Sequence, residues 1–116
     1  FPTRRSSDLA FMNLPIMAQY CASKSALHSI TQAIRAELKS KSIEVFEVFP
    51  GPMDTEMSKN LQMDKATPLQ VVLNTFDGLT NKDFEIFPDD YSKNIISMVK
   101  NNSKKLEQQF ACSIQQ

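Results

Sequence analysis

Hydrophobic residues recur at helical spacing over residues 18–41, with polar residues largely between them. The apolar members of this stripe are Ala26, Leu27, Ile30, Ala33, Ile34 and Leu38. A repeat of about 3.6 residues places such side chains on one face of a helix. The pattern therefore predicts a long amphipathic helix from about Ala18 to Lys41.

A different pattern follows between residues 43 and 49, where β-branched and aromatic residues alternate with glutamates. Such alternation is typical of a strand, and the dipeptide Pro50-Gly51 ends it. The sequence thus predicts a strand whose carboxyl end leads into a loop. Open α/β sheets place their ligands at that end of their strands.

The second half of the chain predicts two more helices and a short strand. Thr67 is a candidate N-cap, with Pro68 at the first helical position of a helix that ends near Gly78. One face of this helix would be apolar, formed by Leu69, Val72, Leu73 and Phe76. Residues 84–88 suit a short edge strand that ends at a proline, and residues 89–111 suit a final helix. Residues 55–63 are a candidate short helix.

Composition limits the classes of function that the chain can have. Its 116 residues allow a single domain at most, and 13 basic and 13 acidic residues give no net charge. That balance does not favour binding to nucleic acid or to an anionic membrane surface. No apolar run approaches the roughly 20 residues of a membrane span, so we expect a cytoplasmic protein. Cys21 and Cys112 lack metal-ligand spacing, and we predict no metal site.

Tyr20 and Lys24 are the strongest candidates for chemistry. They stand four residues apart at the start of the predicted long helix, so they share one face of it. A nearby cation favours the ionised form of a phenol, and such a pair can move a proton near neutral pH. The single histidine, His28, lies on the same continuous helical pattern, and we expect it on a helix face rather than in a hydrolase triad.

Two motifs together point to a family. Tyr20-Cys21-Ala22-Ser23-Lys24 is followed, after the predicted helix and strand, by Pro50-Gly51-Pro52-Met53-Asp54-Thr55. From about Leu9 to Thr55 this order resembles the short-chain dehydrogenase/reductase family. The resemblance implies an α/β, Rossmann-like doubly wound fold and an NAD(P)-dependent oxidoreductase that acts on a small-molecule carbonyl or alcohol substrate.

The resemblance also implies catalytic roles. Tyr20 would exchange a proton with the substrate oxygen, and Lys24 would activate Tyr20 and hydrogen-bond the nicotinamide ribose. The family places a serine thirteen residues before the tyrosine, at the end of a strand, which corresponds to Ser7 here. Whether Ser7 is the native residue stays open, because the opening residues 1–9 look like a translated sequencing adapter.

Four further residues are implied in cofactor binding, together with Tyr20 and Lys24. Pro50 and Gly51 would bring the backbone close to the cofactor, which is NAD or NADP. The backbone of Met53 would meet the nicotinamide carboxamide. The Thr55 hydroxyl would lie near the carboxamide or the pyrophosphate.

The glycine content sets a limit on this interpretation. The only glycines are Gly51 and Gly78, so the chain contains no glycine-rich turn of the kind that binds a pyrophosphate. We therefore expect residues 1–9 to be an artefactual leader and residues 10–116 to be the C-terminal part of a single Rossmann-like domain, with its N-terminal half missing. The full-length enzyme would be a homo-oligomer. The alternative is a non-catalytic truncated fragment or an interaction module.

We predict that the isolated 116-residue chain binds neither NADH nor NADPH measurably, because it lacks a glycine-rich pyrophosphate turn. Isothermal titration calorimetry with each cofactor tests this. An affinity in the micromolar range would contradict it.

Overall fold

The computed structural model describes residues 6–51 and 66–114, with side chains from Leu9 onward. Within these ranges it contains the helices α1 (Ser6–Phe11), α2 (Ala18–Leu38), α3 (Pro68–Thr80) and α4 (Asp90–Ala111), and the strands β1 (Glu47–Val48) and β2 (Glu85–Ile86). Short 3-10 helices lie at Pro15–Met17, Lys39–Lys41 and Cys112–Ile114. The predicted long helix, the helix after Thr67 and the final helix are confirmed. The candidate short helix at residues 55–63 lies outside the described residues.

The two strands form a parallel pair. Glu47 pairs with Glu85 and Val48 with Ile86, and main-chain bonds of 2.9 Å join Glu47 N to the Phe84 carbonyl and Phe49 N to the Ile86 carbonyl. Parallel neighbours need a crossover connection, and α3 lies in it. Both predicted strands are therefore present, although only two residues of each are regularly paired.

Aromatic side chains extend this pairing beyond the ladder. The rings of Phe46 and Phe84 stack with centroids 5.0 Å apart, and those of Phe49 and Phe87 stack at 5.2 Å. Phe11 of α1 packs against Phe49 at 4.9 Å. Aromatic pairs of this kind stabilise a sheet beyond the area that they bury.

Helices cover both faces of the pair. On one face, Phe11 of α1 and His28 of α2 contact the Phe49 ring. On the other, Gly78 of α3 packs so closely on Ile86 that an added Cβ would lie 2.8 Å from its Cγ1 atom. Helices on both sides of parallel strands define the α/β class that the sequence predicts.

The long helix packs through its polar face. The α2 residues that are buried or half-buried are Tyr20, Cys21, Lys24, His28, Thr31, Arg35 and Leu38. The Arg35 guanidinium donates to the Val45 carbonyl at 2.9 Å and to the Phe84 carbonyl at 3.2 Å, which fixes the helix to the approach of each strand. Meanwhile Leu27 and Ile30 of the apolar stripe are 54% and 56% exposed. Amphipathicity was predicted correctly, but the apolar stripe faces away from the described core.

The third helix behaves in the same way. Its predicted apolar face is exposed, with Leu69 at 66% and Phe76 at 61%, whereas Val71 and Gly78 are buried. The helix starts where the sequence predicts, with Thr67 as its N-cap and Pro68 as its first residue. The side chains of Thr67 and Gln70 form a reciprocal capping box across this start.

The last helix buries Ser92, Ile95 and Leu106. Asp89 caps its start by accepting a hydrogen bond from the backbone of Ser92. Non-helical backbone angles at Asn102 interrupt it, and the Asn102 side chain accepts a hydrogen bond from Lys105 N at 3.3 Å. Asn102 therefore caps the second half of the helix. Among the described helices, none combines the length and the apolar character needed to cross a bilayer.

The first helix closes the core beside α2. Leu9 is fully buried and packs with Leu14 and Cys21, and Phe110 of α4 joins them. The resemblance implies a strand end at Ser7, whereas Ser6–Phe11 is helical. A strand needs a hydrogen-bonding neighbour, and in the described ranges no strand lies beside this segment. A helix satisfies its backbone bonds internally.

We predict that the chain self-associates, because exposed apolar faces of α2 and α3 of this extent favour association in water. Sedimentation velocity should show oligomers at micromolar concentration, and Ile30→Lys combined with Phe76→Lys should shift the distribution towards monomer. The control Asn101→Lys, on an exposed part of α4, should leave the distribution unchanged. A clean monomer for the unaltered chain would contradict the prediction.

Candidate active site

Tyr20 and Lys24 lie on one face of the first turns of α2. The Lys24 ammonium is 5.3 Å from the centroid of the Tyr20 ring, and both side chains are half-buried. Within the described ranges no carboxylate forms an ion pair with Lys24. The arrangement places an ammonium group against the face of a phenol ring. The predicted pairing of these two side chains is therefore present in the structure.

Small side chains next to the pair anchor the start of the helix. The Cys21 thiol sits 3.3 Å from Leu14 N as an acceptor and 3.7 Å from the Leu14 carbonyl as a donor. The Ser25 hydroxyl donates to the Ala10 carbonyl at 3.0 Å. These bonds hold the helix to the chain that precedes it, and larger residues at these positions would not reach the backbone in the same way. The orientation of Tyr20 and Lys24 depends on this anchoring.

A cavity of about 280 Å³ opens beside Lys24. Its lining comes from α1, from α2 and from the end of β1: Ala10, Lys24, Leu27, Thr31, Phe46, Glu47, Val48 and Phe49. Lys24 thus shares a cavity with the carboxyl end of a parallel strand, where α/β folds place ligands. The loop that starts at Pro50 begins one residue beyond this lining.

The Pro50-Gly51 turn is tied to the start of α4. Gly51 N donates to the Asp89 carboxylate at 2.9 Å, and both residues are buried. A Cβ added at Gly51 would lie 2.5 Å from the second carboxylate oxygen of Asp89. Glycine is therefore required here by contact with α4, in addition to any approach of a ligand.

Three of the predicted site residues are not positioned by the structure. Ser7 lies in the first turn of α1, and its side chain is not among those described. Met53 and Thr55 lie outside the described residues. Their predicted roles stay predictions.

The described residues fit one end of a nicotinamide cofactor. Lys24 lines the cavity and the Tyr20 phenol lies beside Lys24, and an ammonium group and a phenol are donors suited to a ribose hydroxyl and a carbonyl oxygen. Residues that could hold the cofactor here are Tyr20, Lys24, Pro50 and Gly51. No glycine-rich turn for the pyrophosphate is present in the sequence.

Two sets of functional contacts were missed by the sequence analysis. No contact was predicted for Asp89, because its bond to Gly51 spans 38 residues. His28 was predicted to lie idle on a helix face, but its imidazole lies between Glu47 and Glu85. The sequence carries one signal for the His28 contacts: Glu47 and Glu85 occupy equivalent positions in the two predicted strands.

Comparison with known proteins places these motifs in one family. Residues 5–66, more than half of the chain, match the family model described as short chain dehydrogenase. An uncharacterized oxidoreductase DltE of Bacillus subtilis (strain 168) is 41% identical over 54 residues, which cover 47% of this chain and 21% of that protein. A 3-ketodihydrosphingosine reductase of Dictyostelium discoideum is 30% identical over 94 residues, covering 70% of this chain and 28% of that protein.

A solved structure supports the same assignment. A short chain dehydrogenase from Burkholderia cenocepacia J2315, crystallised in complex with NADP, is 31% identical and superposes with a TM-score of 0.81. The superposition covers 89% of this chain and 45% of that one. The chain spans less than a third of the length of the curated relatives described above. The family model and the common fold agree, and this chain belongs to the short-chain dehydrogenase family.

Proposed function

We propose that this chain is the catalytic-helix part of an NAD(P)-dependent oxidoreductase that interconverts a carbonyl and an alcohol. The observation that carries the proposal is the position of the Lys24 ammonium, 5.3 Å from the Tyr20 ring at the edge of a cavity. Membership of the family supports the oxidoreductase class. A bound nicotinamide would supply or accept the hydride.

Tyr20 moves the proton in this proposal. In the reducing direction its hydroxyl gives a proton to the substrate oxygen as that oxygen gains charge, and in the oxidising direction the phenolate takes a proton from the alcohol. Lys24 stabilises the phenolate by its charge and donates to the nicotinamide ribose. The role of Ser7 would be to hold the substrate oxygen by a hydrogen bond.

Asp89 acts as a positioning residue for the loop at Pro50. Its carboxylate accepts from Gly51 N and also from the hydroxyl of Ser92 at 2.8 Å, so one buried group fixes both the turn and the helix start. Hydrogen bonds to a charged acceptor are among the stronger ones in proteins. The cofactor loop is thereby held at the end of β1, with Met53 and Thr55 two and four residues beyond Gly51.

The proposal extends to the cofactor, the substrate class, the location and the oligomeric state of the enzyme. The neighbouring structure was solved with NADP, and the choice between NAD and NADP for this chain is open. A relative acts on a 3-keto sphingoid base by its name, which makes a carbonyl of a small molecule a reasonable substrate class. A cytoplasmic location and a homo-oligomeric full-length enzyme are the expectations from the sequence.

A second candidate is a chain that does not catalyse by itself. The exposed apolar faces of α2 and α3 favour it, since they resemble surfaces meant to be covered. The coding sequence upstream of Phe1 separates the two candidates. A glycine-rich strand-turn-helix in the same frame supports the enzyme, and an intact gene without one supports a non-catalytic chain.

We predict that Tyr20→Phe in the complete enzyme lowers turnover by roughly 10²–10⁴-fold, the usual contribution of a positioned acid or base. Cofactor affinity should change little, because only the hydroxyl is removed. Steady-state kinetics and cofactor titration measure the two quantities. Lys24→Met should impair both, and Lys39→Met, just beyond the far end of α2, is the matched control. Retained turnover in Tyr20→Phe would reject Tyr20 as the proton donor.

We predict that Asp89→Ala raises the KM for the cofactor and lowers the stability of the complete enzyme by about 1–3 kcal/mol, since it removes a helix cap and a charge-assisted hydrogen bond. Asp90→Ala changes the adjacent exposed carboxylate and should have a small effect on both. Urea unfolding and kinetics provide the measurements. Equal effects of the two substitutions would show that Asp89 does not position the loop.

A further inference from the structure

Three side chains from separate elements meet on the face of the strand pair that α2 covers. His28 of α2 lies over β1 and β2, and its Nδ1 atom is 2.8 Å from Glu47 Oε1. Its Nε2 atom is 3.7 Å from Glu85 Oε2. One donor atom from each of the three residues lies within 4.8 Å of the others. We refer to these three residues as the His28 cluster.

The charges of the cluster do not balance. Glu47 and Glu85 are register partners in the parallel pair, so their carboxylates lie side by side on one face. Like charges directly across two strands destabilise the pairing. A single imidazole carries at most one positive charge against two negative ones. In the described part of the chain, neither carboxylate forms an ion pair with lysine or arginine.

The His28 cluster lies among aromatic rings and is partly shielded from water. The His28 and Glu47 side chains are 14% and 12% exposed, and Glu85 is 36% exposed. The rings of Phe11 and Phe49 lie 4.8 Å and 5.3 Å from the imidazole. Arg35 is the next cation along this face of the helix, and it is bonded to two backbone carbonyls. Charges among aromatic rings with little water attract a counter-ion more strongly than charges in bulk water.

The two sides of the imidazole differ in a way that suits a metal ion. A distance of 2.8 Å to the Glu47 carboxylate is a hydrogen bond that the carboxylate accepts, so in the neutral imidazole Nδ1 carries the hydrogen and Nε2 offers its lone pair to a metal ion. The 3.7 Å between Nε2 and the Glu85 oxygen is too long for a hydrogen bond. A tetrahedral zinc ion about 2.1 Å from each of two ligands would hold them about 3.4 Å apart, close to the observed separation.

We propose that His28 Nε2 and Glu85 Oε2 bind a divalent transition metal ion, for which zinc has the best-matched ligand preference. Glu47 orients the ligand through Nδ1, as carboxylates behind metal-binding histidines commonly do. Water or a small anion would complete the coordination, since the chain supplies two ligands directly. The ion would join α2 to both strands and neutralise the paired glutamates. This site is separate from the proton-transfer pair, and it stands whether or not the proposed oxidoreductase function is correct.

The single histidine of the chain makes a direct test possible. Protein labelled with ¹⁵N only in histidine gives one pair of ring nitrogen signals, and zinc chloride is titrated into it. We expect the Nε2 signal to shift to saturation by two equivalents of zinc, because the exposed Cys112 thiol can take one, while Nδ1 stays protonated. An unchanged Nε2 signal, or zinc bound through Nδ1, would overturn the proposal. This measurement uses the unaltered chain and does not depend on the folding of a variant.

Substitutions then identify the second ligand. Calorimetry is performed on chains that carry Cys112→Ser, because the exposed Cys112 thiol would bind zinc independently. We expect His28→Gln and Glu85→Gln each to weaken zinc binding at least 100-fold, and Glu47→Gln to weaken it about 10–100-fold, as is usual for an orienting partner.

Glu107→Gln, which changes an exposed glutamate on α4, is the matched control and should leave the affinity unchanged. Wild-type affinity in Glu85→Gln would exclude Glu85 as a ligand, and equal losses in the control would reveal unspecific binding. Either result rejects the site as proposed.

Discussion

The parallel register between β1 and β2 is the constraint on which the rest of the structure depends. Glu47 pairs with Glu85, which is an offset of 38 residues, and the same offset recurs outside the two-residue ladder. Before the strands, the ion pair of Glu44 and Lys82 joins residues 38 positions apart. After them, the bond from Gly51 N to Asp89 does the same. A short ladder is thus extended by side chains at both ends. A slip of one residue would turn the glutamates away from His28 and separate Gly51 from the start of α4.

The register also explains how a short sheet supports a loop. Parallel strands end at the same edge, so the residue after β1 meets the residue after β2. Here these are the Pro50-Gly51 turn and the cap of α4, and a buried carboxylate joins them at 2.9 Å. Because Asp89 also bonds Ser92, the position of the turn is set by a whole helix rather than by the loop itself. Loops that must meet a ligand are commonly fixed in this way by the scaffold beneath them.

Local patterns in the sequence were enough to predict α2, α3 and α4, the cap at Thr67 and the centres of the strands. Thr67 was recognised as the cap of α3 because capping involves residues only three positions apart. Tyr20 and Lys24 were found for the same reason, since a spacing of four residues places two side chains together on any helix. Contacts between residues three or four positions apart lie within one helix, so the spacing of residues in the sequence is enough to predict them.

The face through which α2 packs could not be predicted in this way. Its apolar stripe indicates that one side avoids water, but it does not say which neighbours cover that side. In the described residues the packed side is polar, because Arg35 bonds two strand carbonyls and His28 bonds Glu47. Those partners lie ten to 49 residues away along the chain. The bond between Asp89 and Gly51 was missed for the same reason, since it exists only once the register is set.

The packed face of α2 therefore has two uses along its length. Its first turns carry Tyr20 beside Lys24, which lines a cavity, and its later turns carry His28 and Arg35 against the strands. All four recur at intervals of three to four residues or their multiples, so a rotation of the helix would move them together. The contacts that dock the helix thus also set the positions of Tyr20 and Lys24 relative to the end of β1. The polar stripe of α2, rather than its apolar stripe, faces the strands because His28 and Arg35 find their hydrogen-bond partners there.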